Sequence, residues 1–474
     1  MNKGTVSWYT SVISGILLCA FMLLYPHPPY EDKVAVIGDT LDYQTIAVNF
    51  AQRGIFPVDG LLLPDSAYHF KLIQGYPGAM TAEELHSFPP PVFDFVRNPL
   101  YPFFCGVVYK IWGGRPSVLF RIQFFLLVLS LAMMPAIGTV IAGWRGYIAG
   151  VISALVAFAL MRQYALEVQT QALILPYTIG LWWVLVRYIH RHDMLSSFII
   201  GVYLGIGLLL KNFFIPVAII VCCYRLWHSK QLRALLLPLV LAGSILPYTL
   251  YMHQHRQPDQ PFILLTDQGS DILMASNNDK AVDGDWHPEG IKSTPYYQTP
   301  DVMQKAPWQQ VVTYIYDHPK ATILNMSEKV RLGLLSRWPP VLFLMMLVGF
   351  ALMSFVSERL HRLGVAGIFL LGLTLVILYL FRRDVFYDAQ RAIGESMAGT
   401  GLFLLLLPIC YALLRKIGSG YLSGRHVASW ILILGFLSLN MMFYGSGRIV
   451  GMIDFVWMFY AVLLGIDQIA LIAE

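Results

Sequence analysis

Charge is scarce in this 474-residue chain. Lysine and arginine number 33, aspartate and glutamate 28, so charged residues make up 13% and the net charge is only +5. So small an excess, spread over many loops, excludes the concentrated basic footprint of a nucleic-acid binder. Cysteine is scarce as well. The five residues at 19, 105, 222, 223 and 410 fall mostly inside apolar runs, with no C-x-x-C pair and no histidine at ligand spacing, so neither a disulfide framework nor a metal site is expected. Three catalytic signatures are missing too: G-x-S-x-G, H-E-x-x-H and G-x-x-x-x-G-K-[ST]. Their absence argues against a nucleophile elbow, a zinc protease helix and a nucleotide-binding loop. With the last goes the case for a nucleotide-sugar donor or an ATP-driven pump.

What fills the chain is apolar. Hydrophobic residues account for 57% and aromatics for 14%, and the mean hydropathy of +0.60 is far above that of a soluble globular protein. The expected fold is all-α, a polytopic membrane bundle. Ser7 to Tyr25, preceded only by Lys3, reads as a retained signal anchor with its N-terminus inside. Further apolar runs lie near 116–142, 146–161, 169–186, 196–210, 213–226, 234–251, 338–356, 364–381, 396–413, 428–445 and 449–467, which makes about twelve spans. Alternating them from an inside N-terminus puts Arg145, Arg187, Arg191, Arg225, Lys230, Arg233, Arg359, Arg362, Arg415, Lys416 and Arg425 on the cytoplasmic side, as the positive-inside rule requires. The chain then divides into a signal-anchor span (1–25), a first outer loop with juxtamembrane helices (26–114), a transmembrane bundle (115–252), a second outer loop (253–337) and a C-terminal bundle (338–474). Leu100 to Trp112 is apolar but too short to span, so it reads as an interfacial or re-entrant helix.

One stretch of the first outer loop, Gly38 to Gly54, is suited to chemistry. Tyr43, Ile46, Ala47 and Phe50 fall at i, i+3, i+4 and i+7, the spacing of a short amphipathic helix, with Asp39 as N-cap and Gly54 as C-cap. Capping alone could account for Asp39, yet this acid also sits at a membrane surface just after a span. Lys211, Arg382, Arg383 and Arg391 land at the same face, against the orienting bias for basic residues. Each alone reads as an interfacial anchor. Together with a carboxylate they suggest transfer from a phosphate-bearing lipid, in which the acid deprotonates an acceptor hydroxyl and the cations neutralise the departing phosphate. A single inverting displacement at a sugar carbon needs no enzyme nucleophile.

These residues resemble the GT-C glycosyltransferases that use polyprenyl-phosphate sugars, a group including protein O-mannosyltransferases and lipid A aminoarabinose transferases. Asp39, Tyr43 and Ile46-Ala47 match the family's D-x-x-x-Y-x-x-I-A pattern, in which the acid is the catalytic base. Arg97-Asn98-Pro99-Leu100-Tyr101-Pro102 is similar to its R-x-P-x-Y-P element, and Gly207 to Lys211 to its G-x-x-x-K close of a span. Thr170-Gln171-Ala172-Leu173 resembles T-E-x-L but carries Gln171 in place of the acid. Arg391 sits where an R-x-x-x-P-like element precedes a later span, and Gly269 through Asn277-Asn278 to Trp286 resembles a G-x-x-L-x-x-x-N-N…G-x-W loop. The resemblance implies Asp39 as the base, and with the placement of charge along the chain it gives Asp39, Asp42 and Tyr43 at the catalytic position and Arg97, Tyr101, Glu167, Lys211, Arg382, Arg383 and Arg391 around the substrates. It also implies a polyprenyl-phosphate sugar as donor, carried on undecaprenol or dolichol, a glycan, lipid or protein as acceptor, and transfer on the periplasmic or lumenal side, with a bacterial inner membrane and a periplasm-facing active site the expected setting.

Several residues carry alternative readings. Asp42 with Asp39 could hold a divalent cation, though an acid at i+3 is as easily a capping-box partner. Glu167 could be a second acid or a solvated interfacial carboxylate. Asp454, inside an apolar run, must face the bundle interior. His253, His255 and His287 lack ligand spacing, and Asn325-Met326-Ser327 is a glycosylation sequon wherever the host glycosylates. Three function classes follow: a lipid-linked sugar transferase, a transporter or flippase of lipid-linked saccharides, and a non-catalytic assembly factor. A transporter carries its ionisable residues near the midplane and often shows two related halves. Here most of the charges outside the orienting basic loops cluster at one face, long outer loops interrupt the pattern and no repeat relates the two halves, which favours the enzyme.

Overall fold

The computed structural model describes residues 8–25, 30, 39–54, 56, 58–59, 92–93, 95, 97–229, 235–255, 264–266, 268–281, 287–335, 424–442 and 452–473. In chain order the helices are α1 (Trp8–Leu24), α2 (Asp39–Arg53), α3 (Leu100–Trp112), α4 (Pro116–Leu131), α5 (Met134–Met161), α6 (Gln171–Tyr188), α7 (Met194–Leu210), α8 (Ile215–Ser229) and α9 (Leu236–His255). They continue with α10 (Gln268–Ala275), α11 (Pro288–Ser293), α12 (Pro300–Met303), α13 (Pro307–Asp317), α14 (Pro319–Leu335), α15 (Val427–Met442) and α16 (Asp454–Ala473). The all-helical expectation holds apart from one antiparallel pair, β1 (Val58–Asp59) with β2 (Val92–Phe93), in register Val58 to Phe93 and Asp59 to Val92.

About twelve spans were expected. Among the described residues two helical stretches, Pro116–Leu166 and Leu236–His255, are long and apolar enough to cross a membrane; Tyr9–Leu24, Met194–Leu210, Asn212–His228 and Asp454–Leu464 are shorter apolar helices. The first stretch is not one rod, because turns at Ala132–Met133 and at Ala142–Gly143 divide it. Gly143 has φ 61 and ψ −137, a conformation that side chains avoid, and this lets the chain reverse where the sequence placed a loop around Arg145. The runs at 338–356, 364–381 and 396–413 lie outside the described residues.

The chain groups into two compact units. One comprises 19–131 and 161–268. Here α2 lies along α3, and Gly106 of α3 makes that approach possible: a Cβ there would come 2.7 Å from Phe50 Cδ1 and 2.9 Å from the Ala47 carbonyl. Tyr43, Ile46 and Ala47 are buried as their spacing predicted, and Gly54, at φ 69, closes the helix by donating to the Phe50 carbonyl. The expected solvent face of α2 is not seen, since Thr40, Gln44, Thr45 and Asn49 are buried as well. Gln44 takes a 2.8 Å bond from the Tyr109 hydroxyl. In the same unit Gly201 and Gly205 let α7 press against Val240 and Ser244 of α9, a small-xxx-small contact of the kind membrane helices use. Arg225 is fully buried and donates to the carbonyls of Tyr188 and Ile189 and to the Ser197 hydroxyl, so this cation caps the end of α6.

The other unit comprises 1–18, 132–160 and 269–474. Most of the second polar segment folds here, as the small helices α10 to α14 around Met274, Tyr297, Val302, Val311 and Tyr314. Asn325 of the sequon is buried, and its amide donates 3.1 Å to the Ser276 carbonyl, so the folded chain does not present it for glycosylation. Asp454 is buried in the first turn of α16, as an acid within an apolar run must be.

Candidate active site

The first turn of α2 carries Asp39 and Asp42, and both carboxylates converge on Arg97, just ahead of α3. Arg97 Nη2 lies 2.8 Å from Asp39 Oδ1, while Nε and Nη2 reach Asp42 Oδ2 at 2.8 and 2.5 Å. Placing two acids at a helix N-terminus is favourable, because the unpaired amides of the first turn carry partial positive charge. The guanidinium side chain is 10% exposed, Asp42 is 28% and Asp39 is 46% exposed. Asp42 is therefore gripped, while nearly half of Asp39 remains open to an incoming molecule. Burial works against the Arg97 charge, but Asp39, Tyr43 and Asp42 outweigh it and hold its pKa above the ordinary guanidinium value.

One turn on, the buried Tyr43 ring joins the site's two cations. Arg97 stacks over it at 5.7 Å, its hydroxyl takes a 3.4 Å bond from Lys211 Nζ, and the Tyr101 ring meets it edge-on at 5.2 Å. Tyr101 then leads to Glu167 through the backbone: the Tyr101 hydroxyl and the Gln123 amide donate to the Glu167 carbonyl at 3.5 and 3.3 Å. Glu167 is itself exposed.

Lys211 is placed by the way α7 ends. Its own backbone is extended, with φ −163 and ψ 139, so its side chain leaves the helix axis. The Leu208 carbonyl, among those a helix C-terminus leaves unpaired, accepts 2.9 Å from Asn98 Nδ2. The same amide donates 2.9 Å to Asn212 Oδ1, and Asn212 Nδ2 donates 3.0 Å to the Thr266 hydroxyl. Asn98 thus fastens the segment carrying Arg97 to the segment carrying Lys211.

Asp39, Asp42, Tyr43, Arg97, Tyr101 and Lys211 are brought together, and Glu167 joins them through its carbonyl. Arg382, Arg383 and Arg391 lie outside the described residues. Asn277 and Asn278 serve the helix turn that follows α10: Asn278 Nδ2 donates to the carbonyls of Ala275 and His287, and Asn277 Nδ2 to that of Leu273. His255 bonds the Tyr251 carbonyl and His287 pairs with Glu289, and no group of three or more His, Cys, Asp or Glu stands at metal-binding distance among the described residues. Sequence reasoning passed over Asn98, Gln123 and Asn212. Gln123 had a signal, a lone amide inside the apolar run Ile122 to Leu129; Asn98 had none beyond its place between Arg97 and Pro99.

No family model matches the chain, and neither curated proteins nor solved structures yield a match. The geometry stands alone: a half-open carboxylate fixed by a guanidinium, with an ammonium on a tyrosine hydroxyl beside it.

Proposed function

We propose that the chain is an integral-membrane glycosyltransferase that moves a sugar from a polyprenyl-phosphate carrier to a glycan, lipid or protein hydroxyl outside the cytoplasm. The observation that carries the proposal is the convergence of Asp39, Asp42, Arg97, Tyr43 and Lys211 within one unit. The membrane setting is supported by α9, an apolar helix only 22% buried over its most apolar window, which a water-soluble core helix would not be. About twelve spans, with this site facing the periplasm, complete the reading.

In the reaction the acceptor oxygen forms a bond to the sugar's anomeric carbon as the bond from that carbon to the phosphate oxygen breaks. The hydroxyl proton passes to Asp39, and polyprenyl phosphate leaves with the bonding pair. Arg97 holds Asp39 by one oxygen so that the carboxylate does not swing away, and this orientation is where a base gains its effect. Lys211, a compact ammonium held at the Tyr43 hydroxyl, neutralises the phosphate as charge develops. Arg382, Arg383 and Arg391 are proposed as further phosphate contacts. Purified protein in nanodiscs, given a polyprenyl-phosphate sugar and a hydroxyl-bearing glycolipid, should release polyprenyl phosphate in step with glycosylated acceptor. Donor movement between leaflets without product would instead place the chain among the flippases.

A further inference from the structure

Helix α13 carries apolar side chains on two faces. Val311 and Tyr314 are buried in the core of the small helical group. Trp308, Val312 and Tyr316 are 57%, 55% and 83% exposed, and their i, i+4, i+8 spacing puts them in one stripe on the opposite side. Ile323 and Leu324, in the second turn of the next helix α14, are also exposed, at 57% and 46%. An exposed surface of this kind marks a contact.

Three features say that the contact is lipid. First, α14 is fixed to the end of an apolar helix: Asn440, in the last turn of α15, donates to the Lys329 carbonyl. Ile323 lies six residues before Lys329, about 9 Å along the helix. The apolar run at 338–356 starts just past the end of α14 in sequence, so on the membrane reading both links lead toward the bilayer. Second, the stripe has tryptophan at one end and tyrosine at the other, the residues that settle at the boundary of headgroups and acyl chains, with apolar valine between. Third, Lys305 and Lys320 flank α13, placed to reach lipid phosphates by extending their stems, while Asp317, the acid within α13, takes a 3.1 Å bond from the Tyr296 hydroxyl.

We propose that α13 lies in the headgroup layer of the protein's own membrane, with Trp308, Val312 and Tyr316 facing lipid. This rests on the membrane reading given above, but not on the transfer chemistry. The test replaces Trp308, Val312 or Tyr316 singly by p-benzoylphenylalanine in the full chain, irradiates native membranes and weighs the adducts. The same substitution at Leu246, exposed on α9, serves as reference. Phospholipid adducts at Leu246 and at the three stripe positions are expected. Lipid at Leu246 with protein adducts, or none, at the stripe would overturn the proposal and leave the membrane reading intact. No lipid at Leu246 would overturn both.

Discussion

Replacing Arg97 by glutamine leaves two carboxylates in one helical turn without their counter-charge. Asp42 loses a fork of two charge-assisted bonds, at 2.8 and 2.5 Å, to a guanidinium that is nearly buried. An interaction of that kind contributes roughly 1.5–3 kcal/mol. The Asp39 pair is a single contact at 2.8 Å with Asp39 almost half exposed, so solvent screening reduces it to about 0.2–1 kcal/mol. The summed loss is about 2–4 kcal/mol, and it should appear as local opening of the first turn of α2, because Tyr43, Ile46 and Ala47 still anchor the rest. Double-mutant cycles read by hydrogen exchange of the α2 amides separate the two contacts. Arg97→Gln with Asp42→Asn should give a coupling of about 1–3 kcal/mol, and with Asp39→Asn less than about 1 kcal/mol. Arg97→Lys keeps the charge but not the fork and should recover only a minor part. A negligible coupling to Asp42, or an Arg97→Lys protein matching wild type, would refute the reasoning.

Asn98→Ala removes the donor to the Leu208 carbonyl and should cost roughly 1–3 kcal/mol locally while raising KM for donor more than it lowers kcat, as Lys211 loses its placement; steady-state kinetics over donor concentration would read this. Gly106→Ala should overpack the contact between α2 and α3 and lower stability by about 1–3 kcal/mol, seen as a drop in Tm; an unchanged Tm would mean that the helices are not in such close approach. Burial pushes the Lys329 ammonium down to about 7, whereas the unfolded chain titrates near 10.4. The cost of burying the charge is therefore fully present below about pH 7 and disappears as the pH rises toward about 10, so stability of that unit should rise across this window. Lys329→Met should flatten the profile, and a wild-type profile that falls over the same range would contradict the placement of Lys329.

Short-range chemistry was legible in the residues. The spacing of Tyr43, Ile46, Ala47 and Phe50 and the terminal Gly54 predicted α2 at nearly its observed bounds, because helix period and capping depend on neighbours within four positions. The same holds for Leu100 to Trp112, which forms α3 at those limits. What could not be read was which groups meet across the chain. Arg97 lies 55 positions from Asp42 and Lys211 lies 168 from Tyr43, so their pairing is set by packing of α2 on α3 and by the end of α7. Capping of the Leu208 carbonyl by Asn98 is longer in range than any local rule. Burial of the polar side of α2 escaped for the same reason: periodicity shows which face is apolar, not whether other segments cover the remainder.

The catalytic role of Asp39 is open to one direct measurement. Asn caps a helix about as well as Asp and keeps its shape, but it cannot accept the acceptor's proton. Purified Asp39→Asn and wild-type protein should be compared for sugar transfer from a polyprenyl-phosphate donor, with membrane yield and Tm recorded for both. If Asp39 is the base, the variant should fold and insert normally and lose about 10²–10⁴ in turnover, with donor KM little changed. Near wild-type turnover by a normally folded Asp39→Asn protein would contradict the assignment, leaving Asp39 as a helix-terminal partner of Arg97 and moving the search for the base to Asp42 or Glu167.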